Sequence, residues 1–183
     1  MLSGQNIAFI GFMGVGKTTV GYRLANSLNY NFIDTDKEVE KHLNMQVSDV
    51  FLKYGEKYFR DTEEKVITNL FDEKINNTIF SLGGGSFLNE KVYNVIKKNS
   101  ISVWLDAKID IIYERIKLSK NIRPLLKEIN DINELEKLLI RRKSFYKKAD
   151  IRVNVLKVEK KIILNIVKKE LETYLNEKKL SNS

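Results

Sequence analysis

The chain has 183 residues, 43% hydrophobic and 31% charged, which predicts one soluble domain with room for a sizeable core. Its formal charge of +8 comes from 32 basic residues scattered among 24 acidic ones. No block of about five or six like charges occurs, which argues against a nucleic-acid arm and for a lysine-rich solvated surface. There are no cysteines, so disulfides, thiolate metal sites and cysteine nucleophiles are excluded. No apolar run approaches the ~18 residues of a membrane span.

Asn6–Ile10 is the first strand candidate, and with no Lys or Arg ahead of it the segment does not read as a secretion signal. A cytoplasmic location is the expectation. Gly11-Phe12-Met13-Gly14-Val15-Gly16-Lys17-Thr18 follows and fits GxxxxGK[ST], with a helical pattern at Lys17–Leu28 behind it. The glycines let the backbone turn tightly and aim N–H groups at phosphate oxygens. Lys17 places a cation near the β- and γ-phosphates, and the Thr18 hydroxyl reaches Mg²⁺. The positive end of the following helix faces the same anion. This segment predicts a bound nucleoside triphosphate.

The second strand, Asn31–Ile33, runs into Asp34-Thr35-Asp36. Two carboxylates at i and i+2 at the end of a strand can serve a metal and an acceptor, where a bare helix cap needs only one. Helical stretches follow at about Asp36–Leu43, Val47–Tyr54 and Glu56–Asp72. In the last, Glu63 stands one turn from Arg60, the spacing of a same-face ion pair. Flanking Tyr58 and Phe59 predict a partly buried arginine suited to a carboxylate ligand. His42 has no partner at ligand spacing and reads as solvent-facing.

The third strand, Thr78–Leu82, leads to Gly83-Gly84-Gly85, which lets a ligand approach the backbone closely. That strand carries no acid where phosphate-loop enzymes place a metal-assisting aspartate, so Asp34 is the candidate for that task, acting through water. Helix Glu90–Lys97, strand Ile101–Leu105 and helix Ala107–Lys117 come next. The polar stretch Leu118–Asn130 holds the sole proline, Pro124, and reads as a lid whose Arg123 could fold over the γ-phosphate. A helix at Ile132–Lys147 puts Arg141 and Arg142 before Phe145-Tyr146, and taken alone both arginines read as surface residues. Strand Ile151–Val155 and a last helix, about Val158–Glu177, complete the pattern, with Ile162, Ile163, Ile166, Val167, Leu171, Tyr174 and Leu175 as one packed stripe.

This alternation predicts an α/β fold: three layers, α/β/α, around a central five-stranded parallel sheet, the architecture of phosphate-loop NTPases with a lid loop. A single domain spans 1–177, with the phosphate loop at 11–18, an acceptor-binding helical segment at about 36–63 and the lid at about 118–130. Residues 178–183 are expected to fray.

Together these segments resemble the shikimate kinase family. The resemblance rests on GFMGVGKTTVG at 11–21, DTD at 34–36, GEKYFRDTEE at 55–64, SLGGG at 81–85, NIRPLL at 121–126, and RxxxY at 142–146 followed by Ala149-Asp150. It covers about 145 of the 183 residues. It implies transfer of the γ-phosphoryl group of ATP to the 3-hydroxyl of shikimate, in aromatic amino-acid biosynthesis. Gly14, Val15, Gly16, Lys17, Thr18 and Thr19 would cradle the ATP phosphates, with Arg123 above them. Asp36 would meet the acceptor hydroxyls and act as base. Arg60, Arg142 and the Gly84 backbone would hold the acceptor carboxylate, Glu63 would fix Arg60, and Phe51 and Phe59 would wall the pocket beside Gly83 and Gly85. The segment Arg152–Val155 would lie near adenine, with Val155 where a polar residue is common. Mg²⁺ is the implied cofactor, ATP and shikimate are the implied partners, and the implied state is a monomer with no nucleic-acid or membrane partner. The alternatives are another small-molecule kinase of this architecture, such as a gluconate kinase, and a regulatory or nucleic-acid-linked NTPase. A GTPase would need NKxD and DxxG, and neither occurs.

Overall fold

The computed structural model describes residues 4–73, 75–118, 131–157 and 160–181. Five strands, β1 (Ile7–Ile10), β2 (Asn31–Asp34), β3 (Thr78–Ser81), β4 (Ile101–Ala107) and β5 (Ile151–Val155), form one parallel sheet in the order β2-β3-β1-β4-β5. Each crossover passes through helix: α1 (Lys17–Leu28), α2 (Thr35–Leu43) and α3 (Val47–Asp72), α4 (Glu90–Asn99), and α5 (Ile109–Lys117) with α6 (Ile132–Tyr146); α7 (Lys160–Ser181) follows the last strand.

Strands β1, β3 and β4 are buried along their whole length, as continuous apolar runs require when helices cover both faces. Side chains of alternate strand residues split between those faces. Phe9, Phe32 and Ile79 meet α1 at Gly21, so closely that a Cβ there would lie 2.9 Å from the Phe32 ring. On the other face Phe80 packs on Phe71 of α3, and Trp104 on Tyr146 of α6. A second, smaller core of Val39, Val50, Phe59 and Val66 holds α2 to α3.

The element boundaries shift in ways that matter. β4 runs two residues past Leu105 and so contains Asp106. β2 ends on Asp34, which also caps α2 by accepting from the Asp36 backbone N–H at 3.1 Å. α3 is interrupted at Gly55 (φ 81°, ψ 172°), matching the two helical stretches read from sequence. α7 continues through Ser181, and Lys178 and Lys179 in its last turn favour the negative end of the helix. Ile162 is corrected; it is exposed, off the buried stripe of Ile163, Val167 and Leu171. The expected lid lies outside the described residues, Leu118 excepted, and Arg123 with it.

The sheet is buttressed at its far end by Asp150, between α6 and β5. Its carboxylate accepts from the backbone N–H of Ser102 (2.8 Å) and from the Ser102 hydroxyl, and it pairs with Lys97 of α4. Burial opposes the Asp150 charge, but the hydrogen bonds from Lys97 and Ser102 prevail and hold its pKa below the ordinary value of 3.8. A carboxylate with a lowered folded pKa stabilises the fold above its unfolded value, and that stability is lost as pH falls through the folded one. The urea midpoint should therefore drop as pH falls from about 5 to below about 3, and Asp150→Asn should shrink that drop. An equally large drop in the variant would place the acid sensitivity elsewhere.

Candidate active site

The phosphate loop connects β1 to α1, with Gly11, Gly14 and Gly16 all at positive φ (133°, 78° and 102°). Gly11 is also pressed on β4: a Cβ there would lie 2.5 Å from the Leu105 carbonyl oxygen. Lys17 is buried, and its Nζ donates to the carbonyls of Gly11 (2.8 Å) and Phe12 (3.0 Å), so the ammonium is held inside the curl of the loop. Arg115 of α5 donates to the Val15 carbonyl (2.9 Å) and fastens the loop from the other side. Val15 is buried, whereas Thr18 is exposed and Thr19 half-buried at the start of α1.

Three oxygen-bearing side chains converge beside the loop. The Thr18 hydroxyl donates to Asp34 Oδ2 at 2.8 Å and lies 3.2 Å from the Ser81 hydroxyl. All three are hard oxygen donors, the set that Mg²⁺ takes directly or through retained waters, so these residues fit the ion. Among the described residues there is no cluster of three or more His, Cys, Asp or Glu side chains arranged to hold a metal by themselves.

Next to this corner lies an open cavity with about 430 Å³ of empty space, solvent at its mouth included. Asp36, Arg60, Arg142 and the three glycines 83–85 line it, with Met13, Val47, Phe51 and Phe59 as the apolar wall. Phe59 is buried, and its ring lies 4.8 Å from that of Phe51. Tyr58, which the sequence reading grouped with it, is exposed. Arg60 is held by two carboxylates, Nη1 to Glu63 Oε2 (2.8 Å) and Nη2 to Glu56 Oε1 (3.1 Å). Burial works against its charge, yet Glu63 first and Glu56 second raise its pKa above the ordinary arginine value. Glu63 is only 2% exposed, and its second oxygen accepts from the Ser86 hydroxyl at 2.6 Å.

Arg142 is no surface residue, although its neighbour Arg141 is exposed. It is 6% exposed, lies over the Phe12 ring and donates to the Gly84 carbonyl at 3.3 Å. The Tyr146 hydroxyl, one helical turn on, donates to the same carbonyl. Burial pushes the Tyr146 pKa up to about 12 against the pull of Arg142, so at neutral pH it is a fixed donor. The glycine wall is packed to the limit. A Cβ at Gly83 would lie 2.6 Å from Glu63 Oε1 and 2.7 Å from Asp36 Oδ1, and one at Gly85 would lie 2.6 Å from Arg60 Nη2.

The fold thus brings together Lys17, Thr18, Asp34, Asp36, Arg60, Glu63, Gly83, Gly84, Gly85, Arg142, Phe51 and Phe59. Val155, expected near adenine, is buried in the core, and Arg152 spans Trp104 (4.8 Å to the ring) and Asp106 (2.6 Å). His42 is exposed, as expected. Sequence reasoning missed Ser81, Ser86, Glu56, Tyr146, Arg115 and Asp106. Asp106 sits 6% exposed among apolar strand residues, within ion-pair distance of Lys143 (3.7 Å) as well as Arg152. A lone acid in a buried run is the signal that could have found it.

Comparison with known proteins bears directly on this geometry. The profile of the family described as shikimate kinase matches residues 13–173, from inside the phosphate loop into α7. The chain belongs to the shikimate kinase family. It is similar to the shikimate kinase of Rhizobium meliloti, 37% identical over 166 residues that cover 91% of this chain and 85% of that one. The shikimate kinase of Novosphingobium aromaticivorans is 40% identical over 152 residues, 82% of this chain and 78% of the relative. Among solved structures, the shikimate kinase of Acinetobacter baumannii in complex with shikimate superposes with a TM-score of 0.85 at 30% identity, covering 95% of this chain and 94% of that one. As a member of the shikimate kinase family, the chain is an ATP-dependent kinase with a phosphate-loop α/β fold. Among its described residues no helix is long and apolar enough to cross a membrane.

Proposed function

We propose that the chain transfers the γ-phosphoryl group of ATP to the 3-hydroxyl of shikimate, giving shikimate 3-phosphate and ADP. The observation that carries this reading is a cavity lined by one carboxylate, Asp36, and two arginines, Arg60 and Arg142, with Asp36 beside Gly83, Arg142 beside Gly84 and Arg60 beside Gly85. A small acceptor with a carboxylate at one end and hydroxyls at the other matches that polarity.

Phosphoryl transfer passes through a loose transition state, so the protein's work is alignment and charge stabilisation. Arg60 and Arg142 hold the acceptor carboxylate. Arg142 shares the Gly84 carbonyl with Tyr146, which fixes the rotamer of one arm. Glu63 fixes the other arm. Asp36 accepts the proton of the attacking hydroxyl. The backbone N–H groups of Gly14 to Thr19 and the Lys17 ammonium take the developing phosphate charge, joined by Arg123 in the reading carried from sequence. Thr18, with Asp34 through water and Ser81 nearby, would hold Mg²⁺, which would neutralise phosphate charge. In the reading carried from sequence, the working unit is a monomer acting in the cytoplasm, where ATP is supplied.

The test is ADP release by the purified protein with ATP and Mg²⁺, comparing shikimate with gluconate and AMP. Stimulation by shikimate alone supports the reading, and stimulation by another acceptor instead overturns the substrate. Within it, Arg60→Lys keeps a charge beside buried Glu63 but loses the planar fork. Its KM for shikimate should rise about tenfold or more, with kcat changed less. An unchanged KM would remove Arg60 from the clamp.

A further inference from the structure

Arg60 has more carboxylates around it than a clamp needs. A guanidinium carries five N–H donors in a rigid fork. Glu63 takes one at Nη1, 2.8 Å away. Glu56 takes the opposite edge, where a single oxygen, Oε1, accepts from both Nε (3.2 Å) and Nη2 (3.1 Å). The two acids are held very differently. Glu63 is buried, and its other oxygen is tied to Ser86. The Glu56 side chain is 51% exposed, and among the described residues its hydrogen bonds run to Arg60. It also follows directly on Gly55, where α3 is broken.

An acceptor that brings its own carboxylate to Arg60 meets a cation already flanked by two anions. Three carboxylates around one guanidinium repel one another, and one has to give way. Glu63 cannot rehydrate without opening the core. Glu56 can turn into solvent at little cost, and the edge it vacates is a two-donor edge that suits a carboxylate.

We propose that Glu56 is an internal competitor for Arg60, displaced by the carboxylate of the acceptor. It thereby sets acceptor affinity and acts as a specificity element. A neutral polyol has no charge with which to displace Glu56 and finds Arg60 already satisfied. An acceptor with a carboxylate replaces one anion by another and is bound. This inference rests on the reading of Arg60 as a carboxylate clamp.

The test is calorimetric binding of shikimate and of its uncharged methyl ester to the wild type, Glu56→Gln and Arg60→Lys at fixed ionic strength. Glu56→Gln should tighten shikimate about threefold to fivefold, the range set by an exposed ion pair, and leave the ester unchanged. A loosened fold cannot produce a gain confined to the charged ligand. Equal or weaker shikimate binding by Glu56→Gln would overturn the proposal, since Glu56 would then support Arg60. Equal tightening of both ligands would also overturn it, since the effect would then come from the shape of α3. Arg60→Lys separates the two readings. If it weakens shikimate while Glu56→Gln brings no gain, only the competitor fails. If it leaves shikimate unchanged, the clamp itself fails and the competitor falls with it.

Discussion

Lys17→Ala is expected to lower kcat by about three orders of magnitude, the scale seen when a preorganised charge is removed from a site of phosphoryl or acyl transfer. The structure gives the reason in two parts. The ammonium is enclosed by the loop, bonded to the Gly11 and Phe12 carbonyls, so its position is set before any phosphate arrives. It is also buried, so few waters compete with a phosphate oxygen for its charge. Removing it takes away the cation and loosens the loop that aims the backbone N–H groups. The fold should survive, because Arg115 still holds Val15 and the β1 strand is fixed on both sides. The measurement is single-turnover transfer from ATP to shikimate alongside thermal unfolding. Transfer within tenfold of wild type, in a folded variant, would remove Lys17 from its assigned role.

The second large effect is at Asp36. Asp36→Asn keeps size and polarity but cannot take a proton, and kcat should fall by about 10²- to 10⁴-fold. The KM for shikimate should change little, because the carboxylate end of the acceptor is held by Arg60 and Arg142. The cap of α2 is supplied by Asp34, not Asp36, so the helix start is retained. A variant with normal kcat and a raised KM would make Asp36 a binding residue and leave the base unassigned.

The parts of this site that were legible in the sequence are those built from neighbours along the chain. The phosphate loop is one continuous segment, its glycines and lysine locked to their positions by a turn and a helix start. The DTD and GGG segments stood out because each follows directly on a strand. Glu63 could be paired with Arg60 because helix spacing alone puts them on one face. What could not be read was contact between distant segments. The hydroxyl of Tyr146 reaches Gly84 across 62 residues, and Arg115 reaches Val15 across 100. Ser81 became visible as a partner of Thr18 only when β3 and β1 were set side by side in the sheet. Arg142 looked like a surface residue because two adjacent arginines on a helix give no sign of which one faces inward. Asp106 lies past the apolar run Ile101–Leu105, in the last two residues of β4, where a lone acid reads as the end of a strand. The family resemblance supplied what spacing could not: the pairing of Arg142 with Arg60 in one pocket.

The wall formed by Gly83 and Gly85 leaves no room for a methyl group on either side. An evolving or redesigned enzyme therefore has little freedom to reshape the acceptor cavity from that side, since each added atom displaces Asp36, Glu63 or Arg60. The apolar lining includes Val47, Phe51 and Phe59, on a helix with its own small core and a break at Gly55. Changes there can resize the chamber without disturbing the sheet or the phosphate loop. Libraries aimed at bulkier or smaller hydroxy acids should be concentrated on those three positions, with the glycines left untouched.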